Sequence, residues 1–307
     1  MAVDLSWSDP TAAQASAGLA LVTGDTLTQT SWQKTVSNLY VLGGGNQEAG
    51  RLIYSSATAI IFRAVNGAWV RIAGLLYNLT ADITATNTSA SIDGTTGQTL
   101  ATSTLYYVYL YLNGSTVTID FSTTAYAIST TTGNYGTYIK SGANTRTLIG
   151  MIRTNASSQF VDSITQRFVR SWFNDRGADG SVIRTAGNVS TTSTSLVDLT
   201  GALIEVLTWS GESIDIGFGS DSWHSATVGE LDFNILLDAA LQLGTTGFVF
   251  HGHKDANINV NTSFTHKITG PSEGYHALKI QWKTNTGTAN INGDSTSPYT
   301  YHVSVRP

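Results

Sequence analysis

The chain is 307 residues long, long enough for two or three domains, and 41% of it is hydrophobic, so a sizeable core is affordable. Only 12% is charged, about half the usual share, and Thr, Ser, Gly and Asn fill the gap. The net charge of −5 comes without a basic stripe, which argues against a nucleic-acid surface, and the lack of cysteine excludes disulfides, thiolate nucleophiles and Cys-based zinc sites.

A neutral, Thr-rich chain favours the pleated surface of a β-sheet over helices. The opening MAVDLSWSDP carries neither a basic nor an apolar signal region, and no stretch approaches the ~20 apolar residues of a membrane span, so no membrane insertion is expected. One helix is predicted. Thr30 and Gln33 form a capping box, Trp32, Val36 and Leu39 make one apolar stripe, and Gly43–Gly45 end it. At about 12 residues such a helix is marginal alone and must pack on something. Residues 1–50 are therefore expected to be an attachment segment.

From residue 51 the period becomes two, and a central antiparallel β domain is expected over 51–170. Leu105–Leu112 (LYYVYLYL) places Tyr107, Tyr109 and Tyr111 on one face and Val108, Leu110 and Leu112 on the other. Two apolar faces predict a strand covered on both sides. Asn113-Gly114 then predicts a hairpin into Thr116–Phe121. Further strands are expected at 147–153 and 159–162. Ser171–Gly180 (SWFNDRGADG) breaks both periods and is taken as a joint.

Residues 171–307 are predicted to be a jelly-roll-like β-sandwich. Ile214, Ile216 and Phe218 alternate with polar residues, as do Leu231, Phe233, Ile235 and Leu237, then Ile258, Val260, Thr262 and Phe264, and finally Tyr299, Tyr301, Val303 and Val305. Residues 235–243 (ILLDAALQL) are ambiguous between strand and helix. His276, Leu278, Ile280 and Trp282 share an inner face, and Lys279, Gln281 and Lys283 share the outer one. The overall expectation is a mainly β chain with a short N-terminal helix.

Chemistry-bearing motifs are sparse. No phosphate-binding loop, Gly-x-Gly-x-x-Gly turn, His-Glu-x-x-His or Gly-x-Ser-x-Gly elbow is present. His251 and His253 would point the same way on a strand, but no third ligand at a recognised spacing accompanies them, so no metal is assigned. Asp215, Asp232 and Asp238 could supply a carboxylate pair for glycoside hydrolysis, yet Asp215 and Asp232 fall on the solvent side of alternating strands, and no catalytic residue is assigned. No cofactor is expected. Trp209 and Trp223 lie beside turn-like residues, so both are expected to be exposed and are the glycan-binding candidates.

Three segments carry a resemblance to structural proteins of tailed-bacteriophage particles. Gly24–Leu39 (GDTLTQTSWQKTVSNL) looks like the N-terminal helix segments of phage fibre and appendage subunits. Arg146–Thr154 (RTLIGMIRT), leading to Phe160–Ser163 (FVDS) and Arg167–Asn174 (RFVRSWFN), looks like a recurrent tail module. Ser272–Trp282 (SEGYHALKIQW) with Thr286–Ala289 (TGTA) is similar to the closing strands of jelly-roll domains on such fibres. The resemblance implies a virion location, assembly as a homotrimer, and attachment to another virion protein through the N-terminus, with Trp32, Val36 and Leu39 as the docking stripe. It brings no catalytic residues. Contact with a host cell-surface glycan through the C-terminal domain is the alternative emphasis, and a glycan-depolymerising tailspike is a weaker one, because no rung period of a β-helix is visible.

Overall fold

Strand after strand from Arg51 onward alternates buried and exposed side chains, the pattern of sheets with one face on a core. The computed structural model describes residues 50–65, 69–244 and 249–306, with the side chains of 249–251 excepted. The expected helix at Thr30–Leu39, and with it Trp32, Val36 and Leu39, lies outside the described residues. All regular structure among the described residues is β. No helix long and apolar enough to cross a membrane occurs among the described residues, which says nothing of crossing by strands.

The C-terminal part is built on eight principal strands: Ala178–Arg184, Val197–Thr208, Ser213–His224, Gly229–Leu237, Val249–His253, Val260–Thr269, Gly274–Thr284 and Tyr299–Arg306. Numbered in that order, one sheet runs first, eighth, third, sixth, and the facing sheet runs second, seventh, fourth, fifth. These pairings are all antiparallel, and the order is that of a jelly roll, two interleaved Greek keys. The inner faces meet in one core that includes Ile204, Ile214, Phe218, Phe233, Ile280, Trp282, Tyr299 and Tyr301. The Gly274–Thr284 strand alternates without a break, and Trp282 is 1% exposed, as its period predicts. The ambiguous run 235–243 ends the Gly229–Leu237 strand, turns at Asp238-Ala239 and returns as Ala240–Leu241.

The central part is a second set of sheets around Leu105–Asn113, which pairs with Thr116–Ser122 on one side and Ala143–Arg153 on the other. The expected hairpin forms with its turn one residue later than read. Asn113 pairs with Thr116, and Gly114 takes the left-handed conformation (φ 63°). Both faces of the central strand are covered. Tyr106, Val108 and Leu110 lie in a core with Leu52, Phe62, Phe121 and Phe160, while Tyr107 and Tyr109 pack with Leu148, Met151, Leu207 and Trp209. Leu207 and Trp209 belong to the jelly-roll part, so that part supplies the cover which the tyrosine face needs.

Two readings are corrected. Residues 159–162 form no strand. Asn155 folds the chain back by accepting the Ser157 and Gln159 amides at 2.8 and 2.9 Å, which leaves only isolated bridges at Phe160 and Asp162. Ile258 lies outside the Val260–Thr269 strand and is 55% exposed.

Candidate contact surface

The segment between the two parts is fixed by buried charge. Arg170, from the short strand Val169–Ser171, is 2% exposed. It donates to Asp175 at 2.7 and 2.9 Å, to Glu212 at 2.6 and 3.2 Å, and to the Leu207 carbonyl at 2.5 Å. Burial works to lower its pKa, but the hydrogen bonds and charges of Glu212 and Asp175 outweigh it and hold the guanidinium above its ordinary value. A second clamp is Glu273, which accepts the Tyr107 hydroxyl at 2.6 Å and the Tyr126 hydroxyl at 2.7 Å. Burial, then the Glu273 carboxylate, raises the pKa of both phenols.

These clamps decide where Trp209 goes. It was expected to be exposed beside Ser210-Gly211, but it is 7% exposed. Its amide donates to Glu212 at 2.7 Å and its indole N–H to Asp175 at 3.3 Å, and the ring packs edge-on to Trp172 with centroids 4.8 Å apart. The turn is tucked against the central sheet, so Trp209 offers no face to a sugar. Trp223 fares differently. On the Ser213–His224 strand it alternates with buried Ser222 and His224, and it is half-buried on the outer face, opposite Asn290. The next rung on that face pairs Asp221 with exposed Asn261.

Of the histidine pair, His253 is 1% exposed, with Nε2 3.1 Å from the Ser222 hydroxyl. The side chain of His251 lies outside the described residues. His224 stands nearby, its Nδ1 accepting the Ala226 amide at 2.9 Å and its Nε2 facing the Thr284 hydroxyl at 2.8 Å. Among the described residues no three His, Cys, Asp or Glu side chains are grouped as a metal cage requires. Asp215 and Asp232 lie on outer faces, half-buried, and Asp232 pairs with Lys283 at 3.3 Å. Asp238 is exposed at its turn and pairs with His276. The three carboxylates thus serve separate positions rather than one reacting centre.

The richest outer surface is one that sequence reading did not single out as a site. The outward residues of Gly274–Thr284 are Tyr275, Ala277, Lys279, Gln281 and Lys283, all half-buried. Neighbouring strands set Glu205 opposite Ala277, Leu236 and Leu203 opposite Lys279, and Asp198 and Asn234 opposite Gln281. Lys279 and Gln281 both donate to Asp198, at 2.6 and 2.8 Å, and those bonds, Lys279 first, hold its carboxyl below the usual range. The Tyr275 hydroxyl donates to Glu205, and the Arg153 guanidinium stacks 3.9 Å above the Tyr275 ring. The strict alternation that grouped Lys279, Gln281 and Lys283 also places Tyr275 and Ala277 with them, so this face was legible in the sequence. Its aromatic member was hidden by the inward neighbour His276.

No protein-family model and no curated protein matches the chain. Solved structures to which it is similar include the T=1 particles derived from infectious bursal virus, at 14% identity and TM-score 0.27, over 51% of this chain and 44% of that one. Others are the T13 particle of infectious bursal disease virus (12%, TM-score 0.29, 85% and 72%) and the insecticidal delta-endotoxin Cry8Ea1 from Bacillus thuringiensis (10%, TM-score 0.27, 85% and 52%). The chain spans less than half the length of the first of these.

Proposed function

We propose that the chain is a structural subunit of a tailed-phage particle, a fibre, spike or decoration protein, that acts by assembly and contact rather than by catalysis. The observation that carries this reading is the jelly-roll strand order of the C-terminal part, an architecture that recurs in viral coat and lectin domains. Fold alone does not give function. The neutral composition, with 12% charged residues, adds support, since it leaves surface suited to lasting contact with other subunits. In this reading residues 1–50 dock the subunit through Trp32, Val36 and Leu39, the working form is a homotrimer, and the site of action is the virion.

Deleting residues 1–50 tests the reading. The truncated chain should stay folded but be missing from assembled particles. Normal incorporation would refute the docking role. Host contact is the second strand of the proposal, favoured by the half-buried, outward-facing Trp223 beside Asp221 and Asn261. Release of reducing ends from host polysaccharide by the purified chain would instead identify a depolymerase.

A further inference from the structure

The outer face of Gly274–Thr284 carries a cleft of about 360 Å³ lined by Leu236, Asp238, Ala239, Tyr275, Ala277 and Lys279. Small-ligand clefts span about 300–1,000 Å³, so this one suits a single small group. We propose that it binds one neutral sugar residue, with the apolar side of the pyranose against Tyr275 and Leu236 and its hydroxyls bonded to Asp238 and Lys279. The inference rests on the host-contact reading only for where the sugar comes from.

The lining is held in place before any ligand arrives. Tyr275 is fixed on its ring by Arg153 at 3.9 Å, at its edge by Phe168 with centroids 5.8 Å apart, and at its hydroxyl by Glu205. Asp238 accepts the Ala277 amide at 2.7 Å through Oδ1 and meets His276 Nδ1 at 2.5 Å through Oδ2. Each carboxylate oxygen has capacity for another donor, and the side chain is 42% exposed. Lys279 spends one N–H on Asp198 at 2.6 Å, is 37% exposed, and has two more to offer. An acceptor and a donor held in one cleft beside an aromatic ring match the alternating hydroxyl and C–H surfaces of a sugar.

Two further observations narrow the choice. The wall is made by a turn in which Asp238 (φ 50°) and Ala239 (φ 71°) both adopt left-handed backbone. Leu237 pairs with Ala240 across it, so this is a two-residue hairpin turn that needs left-handed backbone at both positions, and the bonds from Asp238 to His276 and Ala277 brace it against the sheet. Charge selects the ligand class. Lys279 already faces Asp198, His276 faces Asp238, and Arg153 faces the Tyr275 ring, while Asp238 and Glu205 add negative charge. Lys279 and Arg153 thus stand against three carboxylates, Asp198, Asp238 and Glu205, and this net negative charge disfavours an anionic sugar or a phosphate. A neutral polyol meets a matched donor and acceptor.

The test is saturation-transfer NMR on the full chain with methyl glycosides of glucose, galactose, mannose and N-acetylglucosamine, at millimolar concentration. At least one should give transfer. Ala277→Trp and, from the opposite wall, Leu236→Trp fill the cleft without removing a hydrogen bond, and each should weaken that binding at least tenfold at an unchanged melting temperature. Absence of transfer from all four glycosides, or binding only to sialic acid or inorganic phosphate, would overturn the proposal. So would undiminished binding in a folded cleft-filling variant. Loss of binding on Trp223→Ala with full binding in Ala277→Trp would move the sugar to the other sheet, sinking the cleft while sparing host contact. Incorporation into particles is read separately and bears on the structural role alone.

Discussion

Replacing Arg170 with Met should be among the most damaging single changes in the molecule. The substitution keeps most of the side-chain volume and removes five charge-assisted contacts, to Asp175, Glu212 and the Leu207 carbonyl. What remains decides the magnitude. Asp175 keeps the Trp209 indole at 3.3 Å and the Gly177 amide at 3.0 Å, and its side chain is 16% exposed, so water can reach it. The Glu212 side chain is 6% exposed and keeps only the Trp209 amide among the contacts described above. An uncompensated buried charge of this kind costs about 3–5 kcal/mol. For a domain of this size, that is a fall in melting temperature of roughly 6–20 °C. Urea unfolding followed by tryptophan fluorescence measures it directly, because Trp172 and Trp209 sit at the junction. The double change Arg170→Met with Glu212→Gln should recover part of the loss, with coupling of roughly 1–3 kcal/mol. A loss under about 1 kcal/mol, or strictly additive single changes, would refute the argument that this cluster holds the junction.

Burial pushes the Tyr299 phenol up to about 12. Burial, aided by Glu273 or Glu205, raises Tyr107, Tyr126 and Tyr275 beyond the ordinary range. Folded values above the unfolded value of about 10 mean that this stability is complete below pH 10 and is lost as pH rises through the folded values. The tyrosinate absorbance of these four phenols should therefore appear together with loss of fold, and their titration near pH 10 in a folded chain would count against it. Gly229→Ala should cost about 1–3 kcal/mol, because a Cβ there lands on the buried His224 ring. Gly217→Ala should cost under about 1 kcal/mol, because the His302 ring it meets is exposed and can swing away. Ala239→Gly should raise stability by roughly 0.5–1 kcal/mol by relieving the φ of 71°, read by the same urea titration.

Local pattern carried much of the β structure. The two apolar faces of Leu105–Leu112 predicted a strand covered twice, and the strict alternation of 274–284 predicted which side of Trp282 is core. What local pattern could not carry was partnership. Trp209 beside Ser210-Gly211 reads as a surface turn until the central sheet, more than thirty residues away in sequence at Trp172, folds over it. The Asp175, Glu212 and Arg170 cluster is equally non-local: three ordinary charges in sequence become a buried lock only when two sheets meet. Asp238 was weighed as one of a catalytic pair. The structure uses it instead to hold a left-handed turn against His276 and Ala277, a role that no spacing announces. The strand order of the jelly roll depends on which distant strands pair, and alternation alone is silent on that.

A cryo-EM reconstruction of intact particles of the virus proposed to carry this chain bears most directly on its proposed place as a built-in particle subunit. Density for the jelly roll and its central sheet is expected at a symmetry-related set of positions, in threefold groups, with residues 1–50 against another virion protein. Complete particles that lack such density would contradict it.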